Sequence, residues 1–186
     1  MADLRKIPWN RFPRRAKPGD RVSPNFWFGE LSRSELADRL GIRNTFTSAR
    51  QVRAAVYLCR NVLQPMRDEF GAFSPNSVFR CQALERALKK KPSSWTSTSQ
   101  HTSGEACDVT IPGVSTLELA RWVAGNLAFD QLICECYDPA KGPNSGWVHV
   151  SLRPPGAREN RRQLLSYIFD HDNRRYVYVD GLRAMA

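Results

Sequence analysis

Histidine is scarce in this chain, with three in 186 residues: His101, His149 and His171. Two of them lie in segments able to do chemistry. Ser99-Gln100-His101-Thr102-Ser103-Gly104-Glu105-Ala106-Cys107-Asp108 places an imidazole and a carboxylate on either side of a glycine that lets the chain turn sharply between them. Trp147-Val148-His149-Val150-Ser151 supplies the second imidazole. Two histidines and an aspartate outline a catalytic zinc site, because three protein ligands leave a fourth tetrahedral position for water, whose pKa the metal lowers to about 7. A carboxylate outside the ligand set then serves as general base, and Glu135 is the candidate. Composition and spacing alone leave open a structural alternative, with His101 capping a loop and Glu135 and His149 forming a plain polar pair. His171, in Phe169-Asp170-His171-Asp172-Asn173, reads as a turn residue.

The elements that must hold these groups follow from periodicity. In a strand over 106–111, Cys107, Val109 and Ile111 seek the core, so Asp108 faces away from it. In a strand over 147–152, Val148, Val150 and Leu152 form the apolar face and His149 the other. Over 131–137, Ile133, Glu135 and Tyr137 share a face. Pairing Glu135 with His149, Tyr137 with Trp147 and Ile133 with Ser151 leaves 138–146 as a loop containing Pro139, Gly142, Pro143, Asn144 and Gly146. Opposed side chains lie about 5 Å apart at Cβ, so this register sets the glutamate beside the histidine.

Helix signals come earlier in the chain. Ser32-Arg33-Ser34-Glu35 and Ser48-Ala49-Arg50-Gln51 are capping-box patterns, opening a short helix to Leu40 and a longer one to Phe70 that Pro65 kinks or restarts. A third short helix is expected over 82–90, and Ser115-Thr116-Leu117-Glu118 opens another to about 127. Residues 164–169 and 176–179 read as a hairpin. Helices mostly first and strands mostly later give an α+β domain.

The length suits one domain, and an apolar share of 41% excludes a disordered chain. No apolar run approaches the roughly 18–20 residues of a membrane span. Residues 1–25, with Arg5, Lys6, Arg11, Arg14, Arg15, Lys17 and Arg21 among prolines, read as a basic N-terminal arm, solvated, loosely docked or polyanion-binding; the folded domain is expected over 26–186. No apolar block precedes residue 21, so no secretory signal is expected. A net charge of +10 favours polyanions such as nucleic acid, anionic lipid or envelope polymers. No helix-turn-helix, zinc-finger or aromatic-strand pattern supports specific nucleic-acid binding. Five cysteines without a C-x-x-C pair read as reduced, mostly buried thiols of a cytoplasmically made protein.

Ser99-x-His101-x-x-Gly104-x-Ala106-x-Asp108 matches at every fixed position the S-x-H-x-x-G-x-A-x-D motif of the zinc D-alanyl-D-alanine metallopeptidases, which share a fold with the hedgehog signalling domain. Trp147-Val148-His149 resembles that family's second element. Weaker similarity runs through Glu30-Leu31-Ser32-Arg33-Ser34, Val62-Leu63-Gln64-Pro65-Met66-Arg67-Asp68, Phe129-Asp130-Gln131-Leu132-Ile133-Cys134-Glu135 and Asn160-Arg161-Arg162. The chain most resembles the short phage- and prophage-associated branch, over about residues 26–165.

The resemblance implies helices packed on a small antiparallel sheet, and His101, Asp108 and His149 as zinc ligands. Arg80, in Ser77-Val78-Phe79-Arg80, falls where the family has S-G-Y-R and would hold a substrate carboxylate or carbonyl; Ser99 would help orient the substrate. The implied activity is a zinc-dependent peptidase of peptidoglycan stem peptides, either a D-Ala–D-Ala carboxypeptidase or an endopeptidase of endolysin type. Such a protein would act as a monomer at the bacterial cell wall, released from the host cytoplasm or carried in a phage particle. Two departures stand out. Val78 replaces a glycine, and Gly146 occupies the place where many members carry the catalytic acid, so Glu135 must serve as base, with Asp138 and Asp130 as weaker substitutes. Without any base, the same fold would be a non-catalytic zinc-stabilised binding or virion structural module.

Overall fold

The structure, a computed structural model, describes residues 3–185. Its centre is a five-stranded sheet of β1 (Ala106–Val109), β2 (Gln131–Glu135), β3 (Trp147–Ser151), β4 (Gln163–Asp170) and β5 (Arg175–Asp180), in the order β1-β3-β2-β4-β5. The α+β class is as expected, and the sheet is antiparallel except where β4 runs parallel to β2. That exception follows from order. β1 occupies the outer edge of β3, β4 joins the free edge of β2, and β3 ends at the end of the sheet where β2 begins.

The β2–β3 register corrects the sequence expectation by two residues. Glu135 opposes Trp147, and His149 opposes Ile133. Strand β2 stops at Glu135 because Cys136 takes a left-handed φ of 57° and its N–H bonds to the Tyr167 carbonyl of β4 at 2.8 Å. Tyr137, expected at the mouth of the site, turns instead into the core at 9% exposure. A slip of two preserves the facing of every side chain, so Glu135 remains on the face of His149 as a diagonal neighbour. Its other neighbour matters more: β1 pairs with β3 so that Asp108 lies directly opposite His149.

The two faces of the sheet differ in chemistry. Cys107, Val109, Leu132, Cys134, Val148 and Val150 are fully buried in one core with helices α2 (Ala49–Leu58), α3 (Gln64–Phe70) and α5 (Thr116–Asn126). The opposite face carries Asp108, His149, Trp147 and Glu135, and continues across β4 and β5 as paired Tyr167–Tyr178 and Phe169–Tyr176. Short helices α1 (Glu35–Arg39) and α4 (Gln82–Leu88) complete the fold. No helix among the described residues is long and apolar enough to cross a membrane.

Local signals act where expected, with adjustments. Ser34, not Ser32, caps α1 by accepting from the Ala37 N–H at 3.2 Å. Ser32 closes a 3₁₀ turn over Phe28–Ser32, and its carbonyl accepts from Asn44. Ser48 and Gln51 cap α2 reciprocally. Pro65 does not break the helix: a π-turn over Cys59–Leu63 widens the coil ahead of it, which absorbs the missing donor. His171 lies exposed in the β4–β5 turn, and all five cysteines are free.

The N-terminal segment departs from the arm expected of it. Phe12 and Val22 are fully buried, and Trp9 lies against Tyr57 with ring centroids 5.0 Å apart. Arg60 donates to the carbonyls of Leu4, Ile7 and Val22 at 3.0, 2.6 and 2.7 Å. Phe12, Val22 and Trp9, with the Arg60 guanidinium and the Arg53 Nε–H that donates to the Phe12 carbonyl at 3.3 Å, thus pack the segment against the helices. Arg5, Lys6, Arg11, Arg14, Arg15 and Lys17 stay exposed.

Candidate metal centre and its cleft

His101 is placed by a 3₁₀ turn over Gln100–Ser103 that ends in Gly104, at φ +77°. A Cβ on Gly104 would fall 2.5 Å from the Gln51 carbonyl of α2, so only glycine permits this turn into β1. The His101 ring is fully buried, and its Nδ1–H donates to the Val78 carbonyl at 2.7 Å. Val78 serves through its backbone while its side chain fills the core, which is how valine is accommodated there.

With Nδ1 carrying the proton, His101 Nε2 presents a lone pair. It lies 3.2 Å from Asp108 Oδ1 and 3.2 Å from His149 Nδ1, and those two atoms are 3.0 Å apart. All three residues are buried. Burial holds the His101 pKa down against the pull of Asp108, so the ring is neutral and its lone pair faces a carboxylate oxygen with no proton to share. A divalent cation resolves that conflict. The spacing suits one, because ligands about 2.0 Å from a tetrahedral zinc stand about 3.3 Å from one another. The donor set, two imidazole nitrogens and a carboxylate oxygen, is one that zinc accepts.

Behind the trio runs a chain of charge. Asp108 Oδ2 faces Arg80 at 3.3 Å, Arg80 Nε faces Glu85 Oε1 at 2.8 Å, and Lys89 closes on Glu85 Oε2 at 2.9 Å. Glu85 is fully buried. Burial alone would raise its pKa, but Lys89, Arg80 and the Ser97 hydroxyl outweigh that and leave it lowered. The backbone N–H of Arg80 donates to the His101 carbonyl, tying the arginine to the turn that carries the first histidine.

Glu135 and Ser99 share with the trio and Arg80 the lining of a cavity of about 540 Å³. Burial, then the charge of Asp108, pushes the Glu135 carboxyl up to about 7. Gly146 explains why no acid stands at its own position. It has φ +69°, and a Cβ there would lie 2.1 Å from the Glu135 carbonyl oxygen and 2.6 Å from the Cys136 carbonyl carbon. The backbone at 146 is therefore pressed against that of Glu135, whose side chain lines the cavity. The two weaker substitutes are spent elsewhere. Asp130 is buried under Arg161, Arg153 and Gln100, while Asp138 caps the 139–141 turn and pairs with Lys141.

Sequence reading missed several residues of this cavity: Lys89, Gln131, Arg153, Arg161 and Tyr178. Tyr178 had a readable signal, since it alternates with Tyr176 in the hairpin, yet only the β2–β4 pairing brings that hairpin beside Glu135.

No curated protein and no solved structure matches the chain. A family model, Peptidase M15, matches residues 29–151, a span that includes the trio, Arg80, Ser99 and Glu135. That is well over half of the 186 residues, and the protein therefore belongs to the Peptidase M15 family, whose membership implies zinc-dependent peptidase activity.

Proposed function

We propose that this protein is a zinc peptidase of bacterial peptidoglycan stem peptides in which His101, Asp108 and His149 hold the metal and Glu135 is the general base. The observation that carries the reading is the approach of three ligand atoms to within 3.2 Å of one another on a wall shared with one uncommitted carboxylate. When bound, zinc would polarise the scissile carbonyl and acidify water. The Val78 carbonyl fixes the His101 tautomer, leaving Nε2 free for the metal. Asp108 offers Oδ1 to the metal and is steadied through Oδ2 by Arg80. Glu135 takes a proton from the attacking water and delivers it to the leaving amine as the C–N bond breaks. Arg80 offers its remaining N–H groups to a substrate carbonyl or carboxylate, and Ser99, which lines the same cavity, orients the peptide.

The anionic envelope gives the +10 charge a use, through attraction of the exposed N-terminal basic residues to the wall polymer. The protein would act there as a monomer, after release from the host cytoplasm or from a phage particle. The test combines metal analysis with mass spectrometry of digested peptidoglycan. Wild type should bind one zinc and release peptide fragments, His149→Ala should lose both properties, and Glu135→Gln should keep zinc and lose cleavage. Zinc binding with no cleavage by the wild type would instead identify a non-catalytic zinc-stabilised module.

A further inference from the structure

Glu85 is fully buried on α4, and the reaction above gives it no task. Burying ion pairs is a poor source of stability, because taking the charges out of water costs about as much as their attraction returns. What singles Glu85 out is where its partners lie. Arg80 at 2.8 Å and Lys89 at 2.9 Å both line the metal cavity. The third partner, the Ser97 hydroxyl, donates to Oε2 at 2.9 Å. That hydroxyl oxygen in turn accepts from the Ser99 N–H at 3.1 Å, and Ser99 lines the cavity too. Gln82, three residues earlier on α4, holds Ser97 twice more. Its side-chain amide donates to the Ser97 carbonyl at 3.1 Å and accepts from the Ser97 N–H at 2.8 Å.

The two oxygens of one carboxylate therefore reach both residues that the reading above sets against the substrate. Oε1 faces Arg80, and Oε2 leads through Ser97 to Ser99. Glu85 also divides the arginine. It draws one end of the guanidinium while Asp108 Oδ2, 3.3 Å from Nη1, draws the other, and a group pulled from both sides does not collapse onto the metal ligand. Arg80 Nε and Glu85 Oε1 approach without hydrogen-bond alignment among the described residues, so it is the charge of Glu85 that the arginine feels.

We propose that Glu85 is a positioning residue for substrate binding: its buried charge fixes Arg80 and, through Ser97, the backbone of Ser99, so that both meet the bound peptide in one arrangement. The ligand so named rests on the peptidase reading above.

The test measures binding rather than turnover. A soluble disaccharide–pentapeptide fragment of peptidoglycan is titrated into the zinc-loaded full chain carrying Glu135→Gln, so that bound peptide stays uncut. In that background Glu85→Gln, whose amide oxygen still accepts from Ser97, should raise Kd at least tenfold. With Arg80→Ala also present, Glu85→Gln should change Kd less than twofold, because the group through which its charge acts is gone. Zinc should stay at one per chain throughout. A carboxylate that merely held the fold would weaken binding by the same factor with and without Arg80. That result, or an unchanged Kd for Glu85→Gln, would overturn the proposal and leave the peptidase reading intact. If Glu85→Gln does not fold, Ser97→Ala decides, since it leaves every charge in place. It should raise Kd at least threefold, and not at all once Ser99→Ala is present; equal effects in both would overturn the proposal. Failure of the wild type to cut the fragment with one zinc bound would overturn the peptidase reading while the binding comparison still judges Glu85. No binding by the zinc-loaded chain would overturn both.

Discussion

Replacing Gly146 by alanine should damage activity more than stability, because of where its missing side chain would go. A Cβ at this position lies 2.1 Å from the Glu135 carbonyl oxygen, whereas real contacts essentially never fall under 3.0 Å, so the two backbones must part by about 0.9 Å. No rotamer relieves this, since both partners are main chain. The left-handed φ of +69° adds strain of about 1–2 kcal/mol for an L-residue. With the displaced backbone, the total cost should be about 3 kcal/mol, and at 2–4 °C per kcal/mol for a chain of this size the melting temperature should fall by roughly 6–12 °C. The residue pushed aside is Glu135, the base in the proposed reaction. A 1 Å misplacement near reacting groups costs on the order of 100-fold in rate, so kcat should fall by about that factor below the melting transition. Gly113→Ala is the matched control. Gly113 has φ +82° with nothing within 4 Å of its missing Cβ, so it bears the φ strain alone, about 1–2 kcal/mol, and should retain kcat. The two variants would be compared by thermal denaturation and by initial rates on peptidoglycan fragments. Equal losses of stability, or full kcat in Gly146→Ala, would refute the idea that position 146 is glycine because Glu135 stands against it.

Zinc should raise the melting temperature of the wild type in a concentration-dependent way and leave His101→Ala unmoved, because only a site preformed in the folded state links metal to stability. In the metal-free protein Glu135 keeps its proton to about 7, above the 4.5 of an unperturbed glutamate. The folded state then binds more protons than the unfolded one in that window, and stability should decline as pH rises from about 4.5 to about 7. Denaturant titrations across pH should show a shallower slope in Glu135→Gln, and an equal slope would contradict the assignment. Arg60→Ala removes a donor from three part-buried carbonyls, of which only that of Leu4 keeps a backbone N–H partner, and should cost about 2–3 kcal/mol. Limited proteolysis should then cut ahead of Val22 while residues 26 onward stay protected, and an unchanged digestion pattern would show that the segment is held without Arg60.

Much of this molecule is legible in local sequence. Alternation in 106–109 and 147–151 dictates that Asp108 and His149 leave the core together, and a strand has only two faces, so any pairing of these strands puts them on one side. The turn at Gly104, the caps at Ser48 and Ser115, and the isolation of His171 are likewise settled by neighbours within a few residues. What local pattern cannot fix is register, because a slip of two residues satisfies the same alternation. Glu135 faces the site under either register, but only the left-handed Cys136, bonded to Tyr167, decides that it opposes Trp147 and lies diagonal to His149. The docking of residues 3–25 escaped notice because it hangs on Phe12, Val22 and the distant Arg60, and contacts 38 to 56 residues apart leave no periodicity. A second cavity, which adjoins the metal centre at Arg80, Asp108 and Trp147, is a property of packing alone. It forms where α1, the 74–77 loop and the sheet face meet, and nothing in the order of residues along one element states how far it stands from another.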